Sequence, residues 1–375
     1  MPSFLWLPVR WALVCVAFFS ATAWGQELWL LSPVGFGPAQ RATSGAALLM
    51  SKGAQALASN PAEVASLRGL AVFASGDFSV VSTKLQQGST RRFLARPQVA
   101  AAWRLPEGFA VGLGWGRGEV VAASAPSAPS TTTAAALTPI ALHRLLGTLS
   151  WEWTPQFRLG AQLQWATTES APWRFGEESW KGGRGAIATR AGITVELSPK
   201  RCALALVWEE GLSLRPKLQK KEGPKGPLPQ LKTPHSLALA AWVGSPGGGL
   251  GSFEFEADLV YGWQRSFADA QGKVQATEDT YGLRAGMGLW LTPLLQLRLG
   301  GAVFVHSVPQ RPSWLQPMDA WSGSLSAGAL WRYGPLRVEM AWQMVAGFES
   351  STRPSPLVKQ RISNLLSMGV GWSFD

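Results

Sequence analysis

Three histidines, His143, His235 and His306, are the whole imidazole supply of the chain. Nucleophilic catalysis needs a base within hydrogen-bond reach of its nucleophile. His306-Ser307 is the one neighbouring pair of the right types, and adjacent residues on a strand point to opposite faces. No two histidines or cysteines share a metal-ligand spacing. The expectation is therefore a protein that is not an enzyme and carries no cofactor and no metal. The other chemistry-bearing set is acidic: Glu254, Glu256 and Asp258 occupy alternate positions, with Arg284, Arg298 and Arg337 on the polar parities of nearby segments. It reads as ion pairs that keep a lumen solvated, or as a selectivity element or cation site. Lys217, Lys220, Lys221 and Lys225 read as a solvated loop. The sharper alternative is docking on clustered phosphate groups or gathering anionic amphiphiles, by an attraction that salt would screen.

The elements that must hold these residues announce themselves as a repeat. "LWLTPLLQLRLGGAVFVHS" (289–307) is two alternating runs meeting at Thr292-Pro293, and 102–115, 151–165, 195–208 and 330–343 are further versions of it. From Phe157 to Trp165 the odd positions are apolar and the even ones are Arg158, Gly160, Gln162 and Gln164. From Phe253 to Trp263 the aromatic and aliphatic residues oppose Glu254, Glu256 and Asp258. Charge confined to one parity is the pattern of membrane strands with one face toward lipid. The same reading gives strands near 70–81, 93–105, 109–121, 141–154, 156–168, 185–198, 201–212, 233–244, 251–264, 281–292, 295–308, 321–333, 335–348 and 361–374. About fourteen strands alternate short proline-marked turns with long polar connections, as periplasmic turns and outer loops do in bacterial barrels.

The ends and the composition agree. Residues 1–25 carry Arg10, an apolar run from Trp11 to Phe19 and the small-residue site Ala23-Trp24-Gly25, a secretory signal peptide that takes Cys15 with it. Cys202 then stands alone, so no intramolecular disulfide is expected. Beyond the leader no apolar run is long enough for a membrane-spanning helix. The chain is 46% hydrophobic and 15% charged, with 20 Trp against 3 Tyr. An ordinary soluble domain carries about 25% charged residues, and Trp prefers membrane interfaces. The net charge of +11 falls mostly in loops of an exported chain, so nucleic acid is not an expected partner. The fold class expected is all-β: a transmembrane antiparallel outer-membrane β-barrel over 70–375.

Residues 26–69 lack strand alternation. Ala46 to Leu57 is small and helix-compatible, and Asn60-Pro61 would end a helix. Such a segment ahead of the first strand either hangs in the periplasm or folds back into the lumen, and its small residues, which allow close approach, favour the lumen, as an N-terminal plug. Gly45-Ala46, then Asn60-Pro61-Ala62, then Leu67 leading into the first strand resembles the hatch of the FadL family of outer-membrane long-chain fatty-acid transporters, whose wider relatives include PorV and PorQ barrels. Lys52-Gly53 and Glu63 stand where family members carry an acidic pair and a glycine. The last strand resembles the C-terminal signal read by the barrel-insertion machinery, with Phe374 as its terminal aromatic.

The resemblance implies a hydrophobic ligand caught among outer loops, a gate around Gly45, Asn60, Pro61 and Ala62, and exit sideways through a gap beside a kinked strand. Gly76-Asp77 and Gly112-Leu113-Gly114 are candidate kink positions, though small lumen-facing residues also make room for a plug. The expected function is passive transport of hydrophobic or amphipathic small molecules, with outer-membrane lipid and lipopolysaccharide as surroundings. The alternative is a PorV-like barrel that anchors secreted proteins without transporting.

Overall fold

Alternation on this scale closes into a ring. The computed structural model describes residues 37–85, 88–123, 137–168, 173–175, 178–218, 230–232, 235–245, 249–268, 274–306, 321–348 and 358–374. The expected signal peptide, residues 26–36, most of the long outer connections and Asp375 lie outside them. The wall begins with β1 (Leu70–Leu85), β2 (Gly88–Arg104), β3 (Phe109–Ala123), β4 (Leu137–Thr154) and β5 (Phe157–Thr168). Two short strands, β6 (Trp173–Phe175) and β7 (Glu178–Arg184), precede β8 (Ala186–Ser198) and β9 (Cys202–Glu209). Next come the short β10 (Ser213–Leu218) and β11 (Gln230–Lys232), then β12 (His235–Gly244), β13 (Phe253–Ala268) and β14 (Val274–Thr292). The ring is completed by β15 (Leu295–His306), β16 (Trp321–Tyr333), β17 (Leu336–Phe348) and β18 (Val358–Phe374).

Because β7, β10 and β11 continue β8, β9 and β12 outward, the wall is fourteen strands, all antiparallel, closed by β1 on β18 from Leu70↔Phe374 upward. Fourteen is the number the alternation predicts. The connections 105–108, 155–156, 199–201, 293–294 and 334–335 are the short turns of one rim, which by barrel convention is periplasmic, and the described ends of the β12–β13 connection, 245 and 249–252, lie on the same rim. Several strands outrun their expected ends on the other side: β1 reaches Leu85 and β14 starts at Val274, so residues expected in outer loops extend the wall.

Parity sorts the side chains. Leu113, Ile187, Leu259 and Val370 face outward and are exposed, while their neighbours Gly112, Ala188, Asp258 and Gly369 face inward. Such an outward apolar belt has no favourable partner in water, so the surroundings it fits are lipid. Phe109, Trp151 and Trp153 stack in turn near the periplasmic rim and Phe157 meets Trp153 edge-on, with centroids 5.5, 5.8 and 5.8 Å apart. This is the interfacial girdle expected of Trp. Trp290 departs from that expectation: it points inward, 4% exposed, with the Arg332 guanidinium 4.9 Å from its ring, because its strand puts even positions in the lumen.

The interior is filled by residues 37–69. An α-helix, α1, covers only Pro38–Ala42, and two 3₁₀ helices cover Gly53–Ala58 and Pro61–Ser66. The helix-compatible stretch from Ala46 forms no α-helix, because Gly45 and Gly53 adopt φ of 88° and 60°, left-handed conformations that break a helix on either side. Asn60 does not simply end a helix. It caps one, accepting the Ala62 N–H at 3.0 Å.

Candidate functional site: the filled lumen and the seam beside it

The luminal segment is fastened strand by strand. In its first part Arg41 reaches Asp77 of β1 through Nε and a terminal nitrogen at 3.1 and 2.9 Å. Asp77 is fully buried and also accepts from Ser367 (2.6 Å) and Gln98 (3.3 Å). A buried charge needs such company to offset its desolvation. Glu339 of β17 accepts from the Ala39 N–H at 3.2 Å and from Gln55 at 2.8 Å, and Ser44 meets Ser326 at 2.8 Å. The turn at Thr43 lies on Gly286 and Gly300, which pair directly across β14 and β15; a Cβ on Gly300 would overlap the Thr43 backbone. Gly45 follows, its carbonyl accepting from Arg284 at 3.3 Å.

The second part is held on another side. Gly160 and Gly192 pair across β5 and β8, and the Asn60-Pro61 step rests on them. A Cβ on Gly160 would overlap the Pro61 carbonyl carbon, and one on Gly192 would overlap Asn60 Oδ1. Asn60 Nδ2 donates to Thr194 at 3.0 Å. Ala62 is buried, and Glu63 beside it pairs with Arg158 at 3.0 Å and with Lys52. Arg158 also meets Glu196 at 2.8 Å. Arg190 donates to the Ala58 carbonyl at 2.8 Å and to Glu209 at 2.7 Å.

The acidic row and its arginines are all placed in the lumen, yet among the described residues they do not pair with one another within 4 Å. Glu256 spends both oxygens on the luminal segment, accepting from the Leu49 and Met50 N–H groups at 2.9 and 2.7 Å. Glu254 accepts from Gln296 at 3.1 Å, and Arg298 donates to the other end of that amide at 2.9 Å. Arg337 donates to Gln55 at 3.3 Å. Asp258 lies directly across from Arg284, which has turned to Gly45 and to the Phe304 ring at 5.3 Å. Three of the six, Glu256, Arg284 and Arg337, thus bond the segment they surround, while Glu254 and Arg298 share Gln296 of the wall. Arg41, Asp77, Arg158 and Glu339 are not among the expected site residues; their signal is a charge on the inward parity of a strand, or an arginine in an otherwise small-residue stretch. Lys217 has only its backbone described, in β10, and Lys220, Lys221 and Lys225 lie outside the described residues.

Beside Asp77 the wall comes apart. β2 and β3 pair from Arg104↔Ala110 to Gln98↔Gly116 and, among the described residues, no further. Above that point Gly88–Pro97 pairs only with β1, and Arg117–Ala123 only with β4. Pro97 stands at the parting and has no N–H to give a ladder. Neither expected kink position is the break: β1 is paired without a bulge through Gly76-Asp77, and Gly112 to Gly114 is paired on both sides. Gly112 instead makes room for Leu57, whose side chain occupies the space of its missing Cβ.

No protein-family model matches the chain, and no curated protein sequence does. Solved structures do. A Pseudomonas aeruginosa FadL homologue is similar at a TM-score of 0.70 and 13% identity, over 93% of this chain and 100% of that one. The Pseudomonas putida toluene transporter TodX matches at 0.66 and 14%, over 93% and 100%. The CymD monoaromatic hydrocarbon channel matches at 0.64 and 15%, over 92% and 99%. At these identities the likeness is one of fold: the chain has the outer-membrane barrel fold of FadL-type proteins.

Proposed function

We propose that the chain is a passive outer-membrane channel for hydrophobic or amphipathic small molecules, with residues 37–69 blocking straight passage and the β2–β3 seam giving a way out sideways. The observation that carries this reading is the seam, placed beside a lumen that is otherwise filled. An apolar solute gains nothing from a wet route to the periplasm, whereas leaving through the wall returns it to hydrocarbon. Gln98 supports a link between block and exit, since it is the last β2 residue paired with β3 and also accepts the Gly37 N–H at 3.1 Å. Asn60, Pro61 and Ala62 act here as the fixed end of the gate and Gly45 as its turn. The row of Glu254, Glu256, Asp258, Arg284, Arg298 and Arg337 holds the gate and lines the lumen.

The fold neighbours named as a toluene transporter and a hydrocarbon channel support transport of hydrophobic molecules. The PorV-like scaffold draws no support from them. In this reading the outward residues of β18, from Leu366 to Phe374, present the face offered to the insertion machinery and then to lipid, and the lysines of the fourth outer loop meet lipopolysaccharide. The test is uptake of a labelled panel of hydrophobic compounds by cells with the intact protein, without it, and with Asn60 and Pro61 both changed to Ala. Faster uptake with the intact protein, altered by the double change, is the expected result. Equal uptake of every compound in all three strains would refute transport.

A further inference from the structure

We infer that a trench in the lipid-facing wall, on the side of the ring away from the seam, holds one acyl chain of an outer-membrane lipid as a fixed ligand; the site goes beyond the transport reading and does not depend on it. Two rungs of outward side chains form its sides across β12, β13, β14 and β15. The upper rung has Tyr261 level with Tyr281 at its centre, the lower has Leu259 level with Leu283, and each is continued by aliphatic residues of β12 and β15. Between them the floor is the backbone of Val260 and Gly282. Gly282 is backed from the lumen by the Phe304 ring, which occupies the place of a side chain there. The hollow measures about 680 Å³, and the polar side-chain atoms on its lining are the two tyrosine hydroxyls.

Outward rungs follow one another over the whole barrel, so the depth at this place needs a cause. Tyr261 stacks on Tyr281 at 5.0 Å and on Trp263, one rung nearer the outer rim, at 5.5 Å; Trp263 in turn stacks on His235 at 5.7 Å. The Tyr261 hydroxyl donates to Asp279, also on the side of the outer rim, at 3.2 Å. These contacts draw the upper rung toward that rim, away from the leucines, and open the gap between the rungs. An aromatic stack of this kind belongs at the bilayer interface. The trench therefore lies just below it, among the chains of the outer leaflet.

Size and place select the occupant. Rungs two residues apart stand about 6.8 Å from each other along a strand, which admits a hydrocarbon chain and excludes a helix about 10–12 Å across. A second barrel, convex like the first, would bridge the rungs without entering between them. A solute leaving by the seam would emerge on the far side: β3, β4, β5, β8, β9, β12 and β13 separate the seam from the middle of the trench one way, and β14 to β18 with β1 and β2 the other. Lipid is what the trench faces. Because lipid tails are as apolar as leucine, burial from water contributes nothing, and what retains a chain is contact with both rungs at once.

The experiment places the barrel in phosphatidylcholine vesicles in which the lipid carries a photoreactive group on one saturated acyl chain. The vesicles are dissolved in mild detergent, free lipid is washed away, and the retained lipid is counted by native mass spectrometry and then cross-linked by light and located. One lipid per barrel, joined to the residues of the two rungs, is the expected result. Three variants accompany the natural chain: Val303→Phe with Val305→Phe, which fills the β15 end of the trench; Leu259→Ala with Leu283→Ala, which removes its lower side; and Val370→Phe, a like change on the outward face of β18. The heat-modifiable band on gels shows that each folds. Both trench variants should cut retention about tenfold, a difference of about 1.4 kcal/mol, and Val370→Phe should leave it within about twofold. Label spread evenly over the outward belt, or retention unmoved by both trench variants, would overturn the inference. So would a barrel–barrel complex that the trench variants dissolve, which would make the occupant a second copy, or displacement of the lipid by a compound that the cells take up, which would make it the solute.

Discussion

Gln98 and Gly116 are the last residues that β2 and β3 share, and the Gln98 side chain lies against both the start of the luminal segment and its main anchor. It accepts the Gly37 N–H at 3.1 Å and donates to Asp77 at 3.3 Å. A movement of residues 37–41 therefore has a direct mechanical path to the edge of the seam, through one amide.

Closing the seam should slow passage. Pro97→Val restores an N–H and places a residue that favours strands at the point where the ladder parts. One added hydrogen bond of about 1 kcal/mol shifts an open–closed balance by a factor of about five. Amide exchange across 116–120 should slow, and uptake of a transported compound should fall by a similar factor. Unchanged exchange together with unchanged uptake would detach the seam from the route.

Loosening the segment should do the opposite. Asp77→Ala leaves the buried Arg41 guanidinium without its carboxylate. Breaking a buried pair from one side costs about 3–5 kcal/mol. Limited proteolysis within 37–69 should become fast while the barrel itself still migrates as a folded, heat-modifiable band on gels.

The glycine pair under Asn60-Pro61 makes a steric prediction. Gly160→Ala drives a Cβ into backbone and Gly192→Ala into a side-chain end and the Pro61 ring, so the first should be the worse. Overpacking of this kind costs about 1–3 kcal/mol. Gly147→Ala, whose nearest neighbour is Leu113 at 4.0 Å, serves as the neutral control. Chemical denaturation of the three variants against the natural barrel ranks them.

Glu256→Ala removes the acceptor of two buried N–H groups at once. Exchange of the Leu49 and Met50 amides should rise by about 5- to 150-fold if each loses about 1–3 kcal/mol, and Glu256→Gln, which keeps one acceptor oxygen, should fall between. No change in either amide would mean that the segment is held elsewhere.

Much of the barrel is legible in the sequence because a strand writes its two faces at period two. Charges at 254, 256 and 258 and lipid-facing residues at 253, 255 and 259 identify β13 from residue order alone. What parity does not give is partnership. Glu256 and Arg284 are recognisable as lumen residues, but their bonds run to Leu49, Met50 and Gly45, more than 200 positions away in the chain. The seam is hidden for a similar reason. It depends on which strands pair above Gln98, and the glycines at 76 and 112–114 that suggest kinks are small for other purposes: Gly76 faces outward in an unbroken strand, and Gly112 accommodates Leu57. Trp290 does not join the interface anchors because Trp content marks a membrane protein without saying which way each ring turns.

The most direct test of the central claim is to map the path. A photoreactive, radiolabelled hydrophobic probe, irradiated in cells carrying the barrel and located by mass spectrometry, should label residues bordering the seam, 94–98 and 114–118, with these labels reduced by excess unlabelled substrate. Labelling confined to the outward belt around Leu259 and Val370, and indifferent to competitor, would show only dissolved probe in lipid and contradict passage through the wall.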